Sequence, residues 1–499
     1  MTMTSAVDEG PRTYGNWRRA RGFGVGQLGP GQTLAMFAAV VVPIITANFA
    51  LTAGLVMAAG AAVFAAAVLI RVDGQSAVDA VLRRARFLQA RRAGWTELSG
   101  GLLAEHPRGA DLPGPLAPVV PLRTDDGRGG EQGLLWDRRT GWLTAVIRVS
   151  PVGLDLADRE QADAWVAAFG GFLADLGFHA MVRHVGITVD TAPLGGSTLG
   201  NYIRGRIDPD APPAAVAVLT DLVAATPTTS SDVEAHVSIT FDPGRATPRP
   251  PDLLAAVAEV TRWLPSLEAG LASCGVAVLG RATVAWLTGR LRLAYDPASR
   301  PDVARALTGA DGDVDELLIW TEAGPVRASE QWDRWLHDSG ISVSFAMAEA
   351  PRQAVLARVL APLLSAGPYP RRVTMLYEPF AAAAAADEVE REVSNLAVRR
   401  AWAQRTRRDP TERERADAAR AHQAAQEEAE GAGVGRFCLY VSTTVLDADH
   451  LPAAVADLQG RAGQAKLRLR RLFGAQAAGF AAALGVGVNP VELGRRSRR

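Results

Sequence analysis

The sequence predicts an α+β protein in which an N-terminal transmembrane helical hairpin precedes a cytoplasmic α+β body. No charged residue occurs between Gly22 and Ile70, which is typical of a membrane segment. After residue 131, β-type alternation of apolar and polar residues is interleaved with helix-type apolar spacing. Arginines on both sides of the apolar stretch then predict its orientation.

The composition is that of a folded protein without a general attraction to nucleic acid. The 499 residues suffice for two or three globular units. The net charge is zero, so a global electrostatic basis for direct DNA or RNA binding is missing. The two cysteines, Cys274 and Cys438, are far apart and form no CxxC motif, which favours free thiols in a reducing cytoplasm.

The apolar stretch is long enough for two membrane crossings. One spanning helix needs about 20 residues, and residues 33–70 are close to twice that length. Thr46, Ala47 and Asn48 lie near the middle and suit a tight turn, and Pro43 would bend the preceding helix. We therefore expect a cytoplasmic segment at 1–30 and a hairpin at 31–71, with helices near 33–47 and 50–70.

The charges that flank the hairpin predict its topology. Positively charged residues stay on the cytoplasmic side, so clusters on both flanks require an even number of crossings. This predicts a multi-pass protein of the cell membrane with both termini in the cytoplasm. A buried helical pair is the less favoured alternative, because both helices are apolar all round; a signal peptide would be shorter and nearer the terminus. The clusters are Arg18, Arg19 and Arg21 before the stretch and Arg71, Arg83, Arg84, Arg86, Arg91 and Arg92 after it.

Residues 72–131 are predicted to connect the hairpin to the body. The segment 76–92 is consistent with a basic amphipathic helix at the lipid surface, with Val78, Leu82, Phe87 and Leu88 turned inward. A plain basic helix with one solvated side is an equally good interpretation. The segment 107–130 is rich in proline and glycine and is predicted to be a linker.

The first predicted α+β unit covers 132–300. It starts with a β-hairpin whose turn contains Gly141, followed by a helix capped by Asp158. The remaining predicted elements are strands at 178–189 and 235–241 and a helix at 251–272.

The second predicted unit covers 301–487 and repeats a similar order, which suggests a duplication of a hairpin, helix and strand arrangement. A basic tail at 488–499 is expected to follow it. The predicted elements of this unit are a hairpin at 331–336 and 341–348, a helix at 352–364, strands at 371–378 and 436–446, a helix at 451–459, a strand at 465–469 and a helix at 473–484.

An alanine-rich and then densely charged segment, 381–431, interrupts the second unit. It is predicted to form a helical arm that projects from the body, with Asp409 and Pro410 near its turn. A solvated, salt-bridged helix pair is the more common meaning of such a pattern, and a partner-docking arm is the alternative.

The sequence names no catalytic, cofactor-binding or metal-binding residue, and no cofactor. Lys466 is the single lysine and lacks the glycines and the Ser or Thr of a phosphate-binding loop. The glycines Gly24, Gly26 and Gly29 match a dinucleotide fingerprint only by letter, since they precede a membrane helix and not a crossover helix. His179 and His184 have an odd spacing on a predicted strand, which puts them on opposite faces.

Several segments resemble a known family. The start Arg12-Thr-Tyr14-Gly-Asn-Trp17, the glycine-rich entry and the apolar hairpin resemble the PrgI-like integral membrane proteins of actinobacterial conjugative elements. The C-terminal half also looks like members of that family, in the stretch from Trp332 to Phe345, the charged helical arm and the run from Phe437 to Gly487, which includes Arg468-Leu-Arg-Arg-Leu-Phe-Gly-Ala-Gln476. In layout, the body is similar to the amino-terminal, non-motor part of the conjugation ATPase of type IV secretion systems. The motor domain of that ATPase has no counterpart here.

The resemblance implies a non-catalytic scaffold or adaptor at the inner membrane that docks a separate conjugation-type ATPase and other secretion-channel subunits. Its implied partners are therefore membrane lipid, these proteins and a second copy of the chain in a homo-oligomer. Expected docking surfaces are the arm and exposed strand edges, with Trp17, Trp142, Trp332 and Trp335 as candidate anchors. The alternatives are a membrane-bound enzyme with an unrecognised site and a membrane-associated regulator.

Overall fold

The computed structural model has mixed helix and sheet, which confirms the α+β class. The residues that it describes are 14–15, 30–72, 75–100, 111–153, 157–193, 207–208, 211–225, 231–307, 313–351, 353–381, 384–391, 393–394, 397, 412–429, 431 and 433–496.

The described helices alternate with strands along most of the chain. They are α1 (Pro30–Phe49), α2 (Leu51–Leu69), α3 (Ala77–Arg92), α4 (Arg159–Asp175), α5 (Pro213–Ala225), α6 (Leu253–Ala272), α7 (Val284–Tyr295), α8 (Arg300–Leu307), α9 (Val314–Leu317), α10 (Ala361–Leu364), α11 (Glu412–Ala429), α12 (Leu451–Gln464), α13 (Gln476–Ala483) and α14 (Pro490–Arg496).

Every strand pairing among the described residues is antiparallel. They are β1 (Tyr14–Gly15), β2 (Arg71–Val72), β3 (Gln75–Ser76), β4 (Glu97–Ser99), β5 (Val119–Asp125), β6 (Glu131–Asp137), β7 (Trp142–Pro151), β8 (Val182–Pro193), β9 (Ser231–Phe241), β10 (Val276–Arg281), β11 (Arg327–Glu330), β12 (Trp335–His337), β13 (Gly340–Glu349), β14 (Ala354–Val355), β15 (Arg371–Pro379), β16 (Gly435–Val445) and β17 (Arg468–Arg471).

The chain divides into two compact units. The helical unit comprises Trp17–Thr96 and Ala386–Glu427, and the body comprises Met1–Asn16, Glu97–Ala385 and Glu428–Arg499. The predicted arm at 381–431 therefore groups mainly with the hairpin segment. Its described helical residues are 384–391, 393–394, 397 and those of α11.

In the helical unit, α1 and α2 are separated by Ala50 alone, which has an extended backbone. Two helices thus occupy the predicted positions near 33–47 and 50–70. They fold back on each other, since the Thr46 hydroxyl lies 3.4 Å from the Met57 sulfur and Gly54 lies against Ala47. The small side chains at this contact allow the helix backbones to approach closely.

In the body, one sheet has the strand order β4-β11-β12-β13-β16-β15-β8-β9-β7-β6-β5, with β10 paired to β7 and β17 paired to β13. Strands from both predicted units, 132–300 and 301–487, lie in this sheet and meet where β8 pairs with β15. The order on the two sides of this junction is the same. Three strands (β5 to β7, or β11 to β13) are followed by a strand at the junction (β8 or β15). The next strand lies between the junction strand and the third strand: β9 lies between β8 and β7, and β16 lies between β15 and β13. The last strand of each half pairs with the third strand, β10 with β7 and β17 with β13.

Apolar helices cover one face of this sheet. Helices α4 and α6 pack on the half around β7, β8 and β9 through a cluster that includes Phe172, Val260 and Leu264. Helix α12 packs on the half around β13, β15 and β16. The amphipathic spacing of these helices explains the burial, and Asp158 caps α4 as predicted, its side chain accepting from the Gln161 backbone N–H.

The opposite face of the sheet is polar at its centre and is also buried. Its side chains include Thr144, Thr188, His236, Thr240, Ser344 and Thr374. It is covered by α7 and α13 and by the residues that follow α13. We call residues 476–496 the C-terminal strap.

Three predicted segments are corrected by the structure. The predicted linker at 107–130 contains strand β5. This strand lies at the edge of the sheet and pairs only with β6, and an edge strand tolerates a proline such as Pro121, which has no N–H. The predicted helix at 352–364 starts later than expected: a 3-10 helix at Ala357–Leu360 leads into α10, and the preceding Ala354 and Val355 form β14. Pro362 lies in the first turn of α10, where proline starts an α-helix and does not continue one.

The predicted tail at 488–499 is also wrong over its described part, to residue 496. It forms α14, and Val488, Asn489 and Glu492 are buried. The arginines at the end of the sequence suggested a solvated tail, whereas burial of the residues just before them fixes the segment on the body.

Candidate membrane interface

The pair α1 and α2 exposes an apolar surface. Large exposed side chains on it include Leu34, Phe37, Phe49, Val56 and Val63. Among the described residues, one helix, Leu51–Leu69, is long and apolar enough to cross a membrane, and most of its side chains are exposed. The apolar helix Thr33–Phe49 is shorter. A core helix of a globular protein would be mostly buried, whereas these side chains face outward.

The connection from α2 to α3 is short and fixed by hydrogen bonds. The Ala77 backbone N–H donates to the Ile70 carbonyl at 3.0 Å, and β2 pairs with β3 between the two helices. The buried Ser76 hydroxyl caps α3 by accepting from the Asp79 N–H. The start of α3 is therefore held directly at the end of α2.

The orientation of α3 differs from the expectation. Of the four apolar side chains predicted to turn inward, Phe87 is buried and Val78 is half-buried, whereas Leu82 and Leu88 are exposed. The arginines Arg86, Arg91 and Arg92 are exposed on the same helix. Helix α3 thus presents apolar and basic side chains together at its surface.

The body contains a buried charge cluster at the junction of its two halves. Asp190 on β8 lies opposite Arg372 on β15 and opposite Glu234 on β9. Asp190 accepts hydrogen bonds at 2.7 Å from Arg372 and from Arg290 of α7, and Arg290 also contacts Glu234 at 2.5 Å. Burial alone would raise the pKa of Asp190, but Arg372 and Arg290 outweigh it and hold that pKa well below its usual range. The cluster therefore ties β8, β15, β9 and α7 together.

The C-terminal strap contacts the polar face through backbone carbonyls. Thr374 donates to the Ala483 carbonyl at 2.7 Å, and the Nε2 atoms of His236 and His184 contact the carbonyls of Leu484 at 3.3 Å and Gly487 at 3.1 Å. Gly485 and Gly487 have φ values of +66° and +86°, a region that favours glycine. Side chains there would clash with the sheet, so glycine is what allows the strap to lie this close.

The buried histidines on this face are neutral near pH 7. Burial lowers the pKa of His236 to about 3 and the pKa values of His184 and His337 to about 4. Glu492 lies 3.6 Å from His184, but its carboxylate is already paired with Arg183. These imidazoles therefore act as hydrogen-bonding groups of the fold.

The candidate anchors predicted from tryptophan are mostly part of the core. Trp142 and Trp335 are buried, and Trp332 is half-buried and stacks on Phe473 with ring centroids 5.9 Å apart. Trp17 lies outside the described residues. Trp95 was not among the predicted anchors, but it is strongly exposed just after α3. Its position in the sequence, next to a basic amphipathic helix, could have indicated it as a candidate anchor.

The described residues show little that could carry out chemistry. No group of three or more His, Cys, Asp or Glu side chains among them could hold a metal ion. A cavity of about 490 Å³ beside α7 and α8 is lined by Thr288, Arg292, Asp296, Asp302 and Glu322, among others. Arg292 is paired with Asp296 at 2.8 Å and with Asp338 at 3.3 Å, so the charge of Arg292 is neutralised within the fold.

His184 is buried on β8, while His179 precedes the strand and packs on Trp263 with ring centroids 4.9 Å apart. Lys466 lies in a turn with a φ of +58°. The glycines at 24, 26 and 29 lie outside the described residues.

One comparison with known proteins gives a match. A family model described as a domain of unknown function, DUF8461, matches residues 21–79. The matched stretch includes α1, α2 and the first residues of α3. No curated protein matches the chain.

Proposed function

We propose that this protein is a non-catalytic adaptor, anchored in the cell membrane, that holds a large α+β body beside the cytoplasmic motor of a conjugation or type IV secretion-like apparatus. The observation that carries the proposal is the exposed apolar surface of α1 and α2. Removing apolar surface from water is favourable by about 25 cal/mol per Å². A bilayer provides an apolar environment in which this surface is no longer exposed to water.

In the proposed topology, both helices cross the membrane as a hairpin. The 17 described residues of Thr33–Phe49 and the 19 residues of α2 correspond to roughly 26–29 Å of helix, against a hydrocarbon core of about 30 Å. Arg71 follows directly after α2, and Arg18, Arg19 and Arg21 precede α1 in sequence. This distribution supports placing both termini and the body in the cytoplasm.

The body is proposed to be a scaffold built from a duplicated unit. The matching strand order on the two sides of the β8–β15 junction supports this. In each half a long insertion follows the junction strand: residues 194–230 after β8 and 380–434 after β15. Because β8 and β15 are antiparallel, these insertions leave the sheet from opposite ends of the strands.

The proposed partner is a separate conjugation-type ATPase, with the arm at 381–431 as its first docking surface. The resemblance of the sequence to PrgI-like proteins and to the non-motor part of that ATPase supports this choice. Exposed polar side chains on α11, such as His422 and Gln423, are available for contact. The outermost strand β5 offers a second surface, where a partner strand could be added.

Site-specific photo-crosslinking tests the partner. A photoreactive residue at Gln423 of α11 should crosslink a secretion-type ATPase in cells, whereas the same residue at Gln161, exposed on α4, should not. A second set of positions on β5, at Arg123 and Thr124, covers the sheet edge. If neither the arm nor β5 yields such an ATPase while the protein remains in the membrane, the docking proposal is wrong.

A further inference from the structure

Helix α3 carries an exposed apolar stripe. Val81, Ala85 and Leu88 follow one another at spacings of four and three residues, which places them on one side of a helix. Val81 is 68% exposed and Leu88 is 39% exposed, whereas Phe87 is 6% exposed. The burial of Phe87 fixes the rotation of α3, so the stripe is held outward.

The exposed charges beside this stripe have one sign. From residue 80 to residue 96 the sequence contains five arginines and no acidic residue, and Arg86, Arg91 and Arg92 are exposed. The acidic residue of α3, Asp79, lies in its first turn and accepts a hydrogen bond from Ser76 at 2.7 Å. An apolar stripe flanked by arginines complements a surface that combines acyl chains with negative headgroups.

The position of α3 puts this surface beside the proposed membrane segment. The hydrogen bond from Ala77 to Ile70 fixes the first residue of α3 to the residue that directly follows α2. At the other end of α3, Trp95 is 76% exposed, and tryptophan is enriched at the level of lipid headgroups. The helix that carries the exposed stripe therefore starts directly at the end of the apolar hairpin.

We infer that α3 lies in the membrane interface and binds anionic phospholipid on the cytoplasmic side. This inference rests on the proposed membrane anchoring and adds the lipid class and the residues that recognise it. The stripe residues Val81, Ala85 and Leu88 insert between acyl chains, while Arg86, Arg91 and Arg92 contact headgroup phosphates. Each arginine near an anionic surface contributes about fivefold to binding, so removal of all three weakens it on the order of a hundredfold.

Lipid nanodiscs and a single fluorescent reporter test the inference on the full chain. The environment-sensitive dye NBD is attached at Leu88→Cys in a chain that also carries Cys274→Ala and Cys438→Ala. The protein is placed in discs of phosphatidylcholine alone or of phosphatidylcholine with phosphatidylglycerol. We expect the NBD emission to shift to the blue in the anionic discs, and the shift to fall in high salt, which screens the arginines.

Two triple variants test whether the blue shift depends on the arginines of α3 or on the total charge of the protein. Arg86→Gln/Arg91→Gln/Arg92→Gln should abolish the shift, and Arg245→Gln/Arg249→Gln/Arg358→Gln, at exposed positions of the body, should preserve it. NBD at Leu254→Cys, on the exposed side of α6, should report water in both lipid compositions.

The outcomes distinguish this inference from the anchoring on which it rests. A chain that enters discs of either composition but keeps NBD at residue 88 in water overturns the inference and leaves the anchoring intact. An equal blue shift in both compositions overturns the anionic selectivity. A chain that stays monomeric in buffer and enters no disc contradicts the anchoring itself. NBD at Val81→Cys repeats the measurement in case the label at 88 disturbs the helix.

Discussion

Gly54 of α2 lies directly against Ala47 of α1, so closely that a Cβ atom on Gly54 would come within 2.5 Å of the Ala47 Cβ. The helices approach at this point because neither residue carries a larger side chain. Lipid tails are as apolar as these side chains, so the hydrophobic effect does not drive two helices together inside a bilayer. Close packing of this kind is then a main source of helix association.

Replacing Gly54 should therefore separate the helices. We expect Gly54→Leu to prevent a disulfide between Thr46→Cys and Met57→Cys, positions whose side chains are in contact at 3.4 Å. The disulfide is measured by mass spectrometry in a chain with Cys274→Ala and Cys438→Ala.

The control is Gly60→Leu in the same helix, where nothing lies within 4 Å of a built Cβ. This variant should form the disulfide as readily as the parent. Equal disulfide yields for Gly54→Leu and Gly60→Leu would show that the two helices do not depend on this contact.

Asp190→Asn should destabilise the body strongly. The substitution leaves Arg290 and Arg372 close together without the carboxylate that both contact, and removal of one partner from a buried ion cluster typically costs about 3–5 kcal/mol. Thermal unfolding in detergent, with Asp302→Asn at an exposed pair as control, measures the difference. A control pair of this kind contributes about 0–1 kcal/mol, so similar melting temperatures for the two variants would contradict the role of the cluster.

Truncation after Gly487 should lower the melting temperature clearly. It removes Glu492, the carboxylate paired with the partly buried Arg183, and exposes the core residues that contact Val488 and Leu493. We expect a loss of about 2–5 kcal/mol, as for other buried charge and core deletions. Truncation after Arg496 is the control, and no difference between the two truncated chains would restore the interpretation of this segment as a free tail.

Acid should weaken the body between about pH 6.5 and pH 4. His184, His236 and His337 have folded-state pKa values lowered to about 4, 3 and 4. In this range the unfolded chain therefore binds more protons than the folded one, and stability falls as the pH falls. Each of these histidines should lower the free energy of unfolding by about 2 kcal/mol at pH 5 relative to pH 8.

Melting temperatures measured from pH 8 to pH 5 test this dependence. His236→Gln should show a shallower slope than the parent, and His450→Gln, at an exposed position, should match the parent. A parent slope that is flat over this range would mean that the histidines are not buried as neutral groups.

Local patterns in the sequence predicted much of the secondary structure. The alternation around Gly141 predicted the β6–β7 hairpin, and Asp158 followed by helical spacing predicted α4, because both depend on neighbouring residues only. Strand β5 was missed because proline and glycine dominate its surroundings, and an edge position that tolerates Pro121 is a property of the sheet.

The charge cluster and the strap were beyond prediction for a different reason. Asp190, Arg290 and Arg372 are separated by at least 82 residues in the sequence, and only the pairing of β8 with β15 brings two of them together. Similarly, the position of Gly485 against Thr188 follows from the path of the strap across the sheet. No periodicity in a single segment carries this information.

Membrane topology, measured with tags at both termini, tests the central claim most directly. Protease is added to intact cells, to spheroplasts and to opened membranes. The account predicts that both tags stay protected in cells and in spheroplasts and are cleaved only after the membrane is opened. A C-terminal tag that is cleaved on spheroplasts would mean a single crossing and a body outside the cytoplasm, which contradicts both the hairpin and the docking of a cytoplasmic ATPase.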